Sequence, residues 1–221
     1  MNNKFGLYLV MTDPVVGYEK CAQAAVDCKL QFVQLRMKNT PREIILSIAR
    51  NVRQITVGTS TKFIINDDVT LAKEVDADGV HLGQDDMSLE EARSVWDSPN
   101  KIFGLSTHNE QQLLAAVRQK PDYIGIGPVF PTPTKAIPDP ALGVEYAGHL
   151  AKLAPIPHVV LGGIDRHNLK EILIAGAVNY SAVRAIMKSH DPKDEIITLQ
   201  TIWENHSAEA DLIASRPSIR E

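Results

Sequence analysis

The chain has 221 residues, of which 44% are hydrophobic and 23% charged, and its formal net charge is −4 at pH 7. A chain of this length can form one large domain or two small ones, and it needs neither a disulfide nor a structural metal to complete a core. The negative charge argues against a general nucleic-acid or anionic-membrane binder, so an anionic ligand must be held by a local cluster of cations.

Eight short β-rich runs alternate with longer amphipathic segments along the chain. The runs are nearly continuous in apolar residues, which is typical of strands that are buried on both faces. In chain order they cover residues 5–11, 32–36, 62–66, 79–83, 101–106, 123–129, 158–163 and 180–184. Their mean spacing of about 25 residues leaves room for a helix after each strand.

Helix-start patterns support this alternation. The sequences TPRE at 40–43 and SLEE at 88–91 are capping boxes, and the first also has proline at the first helical position. Asn109 is predicted to cap a helix over residues 110–120, and Asp191 precedes a last helix that runs toward His206.

Eight right-handed strand–helix units favour a closed barrel, because an open doubly wound sheet usually has about five or six strands. We therefore predict an α/β protein with one domain, a (β/α)8 TIM barrel over residues 1–206. Residues 207–221 lose the helical periodicity and are predicted to form a frayed C-terminal tail.

Several patterns indicate a cytoplasmic protein. No apolar run reaches the roughly 18 residues of a membrane span, and the first residues do not show the pattern of a signal peptide. Cys21 and Cys28 have a helical spacing that places them about 10 Å apart along the axis, which is too far for a disulfide. We expect small-molecule ligands and no membrane or nucleic-acid partner, and the sequence leaves a homo-oligomer open.

Charged, hydroxyl or glycine residues follow seven of the predicted strands. In barrels of this kind the reacting groups lie at the C-terminal ends of the strands, so these residues are predicted to converge on one mouth. They are Arg36, Lys38, Asp67, Asp86, Ser106, Lys135, Gly162, Gly163 and Arg184.

The convergent residues suggest two anion sites. Arg36, Lys38 and Lys135 would share one site with Asp67 and Asp86. Two acids repel a simple anion, but Mg²⁺ could bridge them to a polyphosphate. The glycine pair after strand seven, together with the loop after strand eight, is the usual phosphate position in such barrels. A diphosphate at one end and a monophosphate at the other predict a transfer between two substrates.

Each residue also has a structural interpretation. The charged residues could form surface ion pairs, and the glycine pair could serve only close packing. Asp68 is predicted to start a helix and Asp85 to be a solvated loop acid. His81 alternates with apolar neighbours, which favours a hydrogen-bonded histidine of the barrel over a proton carrier. Ser106 has no evident triad partner, so a hydrolase is disfavoured.

Seven motifs occur in order: QLRMK at 34–38, FIINDD at 63–68, ADGVHLGQDD at 77–86, GLSTH at 104–108, DYIGIGPVFPTPTK at 122–135, ALG at 141–143 and LGGI at 161–164. Together they resemble the thiamine-phosphate synthase family, also called thiamine-phosphate pyrophosphorylase. The likeness covers residues 5–187, and GVHLGQDD and GPVFPTPTK are its most specific parts.

The resemblance implies an enzyme of thiamine biosynthesis. Members of this family join 4-amino-2-methyl-5-(diphosphooxymethyl)pyrimidine to 4-methyl-5-(2-phosphoethyl)thiazole, with release of pyrophosphate. It implies a Mg²⁺-assisted dissociative transfer, with Arg36, Lys38, Lys135 and Ser106 as the catalytic residues. By the same resemblance, the pyrimidine diphosphate contacts Gln34, Leu35, Arg36, Met37, Lys38, Asn66, Ser106 and Lys135. The thiazole phosphate contacts Thr132, Pro133, Thr134, Gly163, Val183 and Arg184, and the metal ligands are Asp67 and Asp86.

One corner of the sequence departs from the family pattern. Position 184 is arginine where a small serine is usual, and residues 176–179 read GAVN instead of GADG. Arg184 could contact the thiazole phosphate, turn outward or crowd the pocket. Two alternatives therefore stay open: a thiazole tautomerase-like isomerase, and a non-catalytic barrel that binds thiazole or thiamine phosphate.

Overall fold

The computed structural model describes residues 4–132 and 140–214, with side chains as far as Ser207. Eight strands form a closed barrel in which neighbours follow the chain order from the first to the eighth. Every strand pair is parallel, including the pair of first and last strands that closes the barrel. The predicted (β/α)8 barrel is confirmed.

Helices follow the strands in the described part of the chain. The strands are β1 Gly6–Met11, β2 Phe32–Leu35, β3 Lys62–Asn66, β4 Gly79–Leu82, β5 Ile102–Thr107, β6 Tyr123–Ile126, β7 His158–Leu161 and β8 Asn179–Ser181. The helices are α1 Tyr18–Asp27, α2 Arg42–Thr56, α3 Val69–Glu74, α4 Leu89–Val95, α5 Glu110–Arg118, α6 Val144–Leu153, α7 Leu169–Ala175, α8 Val183–Met187 and α9 Pro192–Ala214.

Several strands end before their apolar runs do. Strand β7 stops before Gly162 and Gly163, whose φ values of 104° and 68° lie outside the range of a strand. Strand β6 stops before Gly127-Pro128, where proline has no N–H to donate to a neighbouring strand. The apolar runs predicted the number and order of the strands, and turn chemistry fixed where each strand ends.

The predicted helix starts are confirmed with one exception. Ser88 forms the predicted capping box of α4, and the Asn109 side chain accepts a hydrogen bond from the third residue of α5. The box predicted at Thr40 is wrong: α2 begins one residue after Pro41, and the Thr40 hydroxyl donates to the Lys38 carbonyl at 3.2 Å. The last helix continues past His206 to Ala214, through residues for which a tail was predicted.

The apolar residues form two layers. The larger layer fills the space between the strands and the helices, and the smaller one fills the barrel interior. The residues of the smaller layer, inside the barrel, are Tyr8, Val10, Phe32, Ile64, Tyr123 and Val159. Gly104 is required there, because a Cβ atom at this position would lie 2.2 Å from Cζ of Tyr123. The glycine of the GLSTH motif therefore makes room for an aromatic ring inside the barrel.

Two further features concern the cysteines and the lengths of the helices. Cys21 is buried in α1, Cys28 is half-buried after it, and both are free thiols. In the described ranges, no helix combines the length and the apolar character needed to cross a bilayer.

Candidate active site

A cavity of about 980 Å³ opens at the C-terminal ends of the strands, and residues from all eight strands or their following loops line it. Most of the residues predicted for the two anion sites are brought together here. Those that line the cavity are Gln34, Arg36, Lys38, Asn66, Asp67, Asp86, Ser106, Thr132, Gly163, Val183 and Arg184. Pro133, Thr134 and Lys135 lie outside the described residues.

The QLRMK segment divides between two environments. Gln34, Arg36 and Lys38 line the cavity, whereas Leu35 and Met37 pack into the layer under the helices. This alternation follows from the two-residue period of an extended chain. The structure therefore places only every second residue of the predicted diphosphate segment with its side chain at the cavity.

Two carboxylates approach one another after β3 and β4. The Asp67 carboxylate forms an ion pair with Lys38, and the Asp67 amide donates to the His81 carbonyl at 2.8 Å. Asp86 accepts a hydrogen bond from the Gly83 amide at 2.7 Å. Burial raises the pKa of Asp67, the neighbouring Asp86 carboxyl raises it further, and Lys38 opposes both. Two adjacent carboxylates are unfavourable unless a proton or a cation lies between them.

The acidic pair fits Mg²⁺ in the chemistry of its donors. Mg²⁺ prefers oxygen ligands and usually keeps one or two carboxylates together with waters and phosphate oxygens. Within the described residues, no group of three or more acidic, histidine or cysteine side chains could hold a metal. A cation at Asp67 and Asp86 would therefore need further ligands from water or substrate.

Arg36 is a half-buried cation beside this pair. Burial lowers the pKa of its guanidinium, and the charges of Asp67 and Asp13 oppose that effect. Between residues 4–132 and 140–214, no hydrogen bond or ion pair engages the Arg36 side chain. A guanidinium presents five donors in a fixed fork, so this arrangement suits a bound phosphate group.

A chain of hydrogen bonds crosses the barrel interior beneath the mouth. Gln34 Nε2 donates to the Tyr8 hydroxyl at 2.9 Å. The Tyr8 hydroxyl in turn lies 2.7 Å from the Tyr123 hydroxyl. The Tyr123 hydroxyl lies 3.0 Å from His81 Nδ1, and His81 Nε2 lies 2.9 Å from Ser106 Oγ. His81 is the hydrogen-bonded barrel histidine that its sequence position predicted.

The sequence interpretation missed both tyrosines of this chain. Each stands in an apolar run that predicted a strand, at an inward position of β1 or β6. A phenol on the cavity side of a barrel strand is a signal that could have singled them out, because a buried tyrosine hydroxyl usually has a partner.

The second predicted anion site lies where β7 and β8 end. A Cβ atom at Gly162 would lie 2.5 Å from Cβ of Pro128, and one at Gly163 would lie 2.6 Å from Cβ of Phe130. Close packing against the loop after β6 therefore requires both glycines, whatever they bind. Arg184 is exposed at the first turn of α8 and has no ion pair with any residue in the described ranges.

Two cavity-lining residues of this corner were also missed. The Ser181 hydroxyl is buried at the end of β8 and has no hydrogen-bond partner among the described residues. Lys188 lies one helical turn after Arg184, with its Nζ atom 3.5 Å from the Asp13 carbonyl. Three polar side chains, from β8, α8 and the residue after α8, thus line the cavity at this corner.

The loop acids and the second histidine behave as structural residues. Asp68 caps α3 by accepting a hydrogen bond from the Leu71 amide at 2.8 Å, as predicted. Asp85 is exposed, in agreement with a solvated loop acid. His108 Nδ1 lies 2.6 Å from the Gly127 carbonyl oxygen, so this ring links the ends of β5 and β6.

Comparisons with known proteins agree on one family. The family model for thiamine monophosphate synthase matches residues 7–186. A thiamine-phosphate synthase of Synechocystis sp. is 40% identical over 195 residues, which are 88% of this chain and 56% of that protein. A thiamine-phosphate synthase of Syntrophomonas wolfei is 35% identical over 209 residues, which are 93% of this chain and all of that protein.

A solved structure extends the agreement to the fold. Thiamine phosphate pyrophosphorylase from Pyrococcus furiosus superposes with a TM-score of 0.81 at 32% identity, covering 92% of this chain and 98% of that one. The chain spans about half the length of the first curated relatives it matches, and the full length of the Syntrophomonas wolfei relative. The family match and these relatives show that the chain belongs to the thiamine monophosphate synthase family.

Proposed function

We propose that the protein is a thiamine-phosphate synthase, a transferase that joins the pyrimidine diphosphate to the thiazole phosphate and releases pyrophosphate. The observation that carries the proposal is the half-buried guanidinium of Arg36, which pairs with no described residue and lies beside the adjacent carboxylates of Asp67 and Asp86 in the cavity. A diphosphate with Mg²⁺ satisfies both groups at once. The named relatives give independent support.

The diphosphate end of the cavity would neutralise the leaving group. Asp67 and Asp86 are the residues that would hold Mg²⁺, which stabilises negative charge on pyrophosphate when it is bound. Arg36 donates to the phosphate oxygens, and Lys38 moves from Asp67 toward them. Lys135, which lies outside the described residues, is proposed as a third cation. Asn66, Gln34 and Ser106 contact the pyrimidine.

The thiazole phosphate would lie at the β7–β8 corner. Gly163, Val183 and Arg184 line the cavity there, and Thr132 enters it from the loop after β6. We assign Pro133 and Thr134 to the same contact by resemblance. An anchored phosphate fixes the thiazole nitrogen in line with the pyrimidine methylene group.

The proposed transfer needs no protein nucleophile. The bond between the methylene carbon and the diphosphate oxygen breaks, and its electron pair leaves with pyrophosphate. The pyrimidine amino group stabilises the resulting cation until the thiazole nitrogen supplies the electron pair of the new C–N bond. His81 contacts Ser106 as in a hydrolytic dyad, but its other nitrogen faces the Tyr123 hydroxyl rather than a carboxylate, which disfavours a hydrolase.

The proposal is tested by mixing the protein with both substrates and Mg²⁺ and measuring thiamine phosphate and pyrophosphate. Formation of equal amounts of both, abolished by EDTA, would support the synthase. A tautomerase would isomerise a thiazole phosphate without pyrophosphate release, and a binding-only barrel would bind without product. Absence of both products would refute the proposal.

We further propose that the protein acts in the cytoplasm, without a membrane or nucleic-acid partner.

A further inference from the structure

In the hydrogen-bond chain of the barrel interior, the order of donors and acceptors determines whether Ser106 can donate a hydrogen bond to a ligand. We propose that Tyr8 and Tyr123 are positioning residues that hold His81 with its proton on Nε2, so that Ser106 donates its own proton into the cavity. The proposal rests on the proposed function, because it assigns Ser106 as the donor to an acceptor atom of the pyrimidine substrate.

Both tyrosines are neutral donors inside the barrel. Tyr8 is 2% exposed and Tyr123 is 1% exposed. Burial raises the pKa of each hydroxyl well above its usual value, so each keeps its proton at neutral pH. A neutral phenol has one proton to donate and an oxygen that accepts. Each phenol can therefore accept a hydrogen bond from one neighbour and donate its proton to the next, so all donors along the two phenols point the same way.

Gln34 sets the direction at one end. Its Nε2 group can only donate, so the Tyr8 oxygen accepts that bond and the Tyr8 proton goes to Tyr123. If Tyr123 donated to Tyr8 instead, the Tyr8 proton would be buried without an acceptor among the described residues, at a substantial cost. The opposite direction would require Gln34 to turn its carbonyl oxygen toward Tyr8.

The rest of the chain follows from one proton per group. Tyr123 donates to His81 Nδ1, which must then be the unprotonated nitrogen of a neutral ring. His81 Nε2 carries the proton and donates it to Ser106 Oγ. The Ser106 oxygen thus accepts from histidine, and no other bond to the Ser106 hydroxyl exists in the described ranges. Its proton is free for a ligand in the cavity that Ser106 lines.

The surrounding packing holds the two rings in place. The rings of His81 and Tyr123 stack with centroids 5.4 Å apart and an angle of 28° between their planes. Tyr8 also packs against Tyr123, at a centroid distance of 5.5 Å. Backbone glycines at 104 and 125 face these rings, and a Cβ at Gly125 would lie 3.4 Å from Cε1 of His81. The imidazole is therefore oriented before any substrate binds.

The tautomer of His81 is measured directly by ¹⁵N NMR on the histidine-labelled protein at neutral pH, with the His81 signals assigned by their absence from His81→Asn. We expect the unprotonated nitrogen to be Nδ1 in the wild-type protein. In Tyr123→Phe, which removes only the hydroxyl, we expect a mixture of tautomers. A wild-type His81 with its proton on Nδ1 would overturn the proposal without any reference to activity.

A double-mutant cycle tests whether the tyrosine acts through Ser106. We expect Tyr123→Phe and Ser106→Ala each to lower kcat by about 10-fold, and the double variant to be no slower than Ser106→Ala. Losses that multiply would refute the coupling. Tyr180→Phe is the matched control, because the Tyr180 hydroxyl is buried, does not belong to the hydrogen-bond chain and has no partner among the described residues. If the wild-type protein forms no thiamine phosphate, the proposed function fails and the tautomer alone decides this inference.

Discussion

Replacement of Arg36 by methionine is expected to stabilise the folded protein and to lower its activity. The guanidinium is half-buried, burial lowers its pKa, and no described residue forms a hydrogen bond or ion pair with it. A buried polar group without a partner costs about 1–3 kcal/mol. Since water still reaches part of this side chain, we discount the gain in the variant to about 1 kcal/mol.

Two assays measure the two effects. A gain of about 1 kcal/mol should raise the midpoint of thermal unfolding by about 2–4 °C in a protein of this size. Loss of a charge-assisted hydrogen bond to the diphosphate costs about 1.5–3 kcal/mol, which is about 10- to 100-fold in kcat/KM for the pyrimidine substrate. The stability is measured on the free protein and the kinetics at saturating thiazole phosphate.

The matched control is Arg50→Met on α2. Arg50 is exposed and pairs with Glu74 at 3.2 Å, an interaction that contributes little in water. Neither the midpoint of thermal unfolding nor the kcat/KM of the Arg50→Met protein should differ measurably from the wild type. An Arg36→Met protein that is less stable than the wild type, or one that keeps its full kcat/KM, would refute the reasoning.

Four further predictions concern the fold and the acidic pair. Arg166→Met removes the cation that pairs with the Glu195 carboxylate, which is 4% exposed. The variant should have a free energy of unfolding about 2 kcal/mol lower in urea titrations. A variant as stable as the wild type would show that the ion pair is not needed. Burial lowers the pKa of His158 below 6.5, so the unfolded chain binds a proton at a higher pH than the folded protein does, and the free energy of unfolding should fall as the pH drops below 6.5. The His158→Asn variant should lose less stability over that range. Parallel curves of stability against pH for the two proteins would contradict this. Asp67→Asn should lower turnover by about 100-fold or more with the circular dichroism spectrum intact, and normal Mg²⁺-dependent turnover would exclude Asp67 as a ligand. Gly104→Ala should cost about 3 kcal/mol, because its Cβ would lie 2.2 Å from Tyr123; a wild-type unfolding midpoint would mean that the ring moves freely.

The architecture could be predicted because it depends on local patterns. Strands buried on both faces are apolar throughout, so eight apolar runs separated by helix starts are enough to predict a closed barrel. The ends of the strands could not be predicted equally well. Gly162 continues an apolar run in the sequence, yet its φ of 104° ends the strand. The Thr40 capping box was wrong because the hydroxyl bonds to the Lys38 carbonyl instead.

The site could be predicted where its residues follow strand ends, and not where they lie inside the barrel. Asp67 and Asp86 are polar residues after apolar runs, and the topology brings every such position to one mouth. Tyr8 and Tyr123 are 115 positions apart, and their hydroxyls meet only because closure of the barrel brings β1 and β6 across the interior from one another. No local pattern contains that contact.

The two ends of the barrel interior differ in the side chains that they bury. Phe32 and Ile64 are apolar and well packed, which serves stability. Toward the mouth, Arg36 and the Ser181 hydroxyl have no hydrogen-bond partner among the described residues, and Asp67 lies beside another carboxylate. Each of these groups is unfavourable in the free protein, and each becomes favourable when a phosphate, a cation or a polar ligand atom occupies the cavity. Selection for stability alone would remove such groups, so a guanidinium without a described partner and two adjacent carboxylates in one cavity argue that this cavity binds ligands.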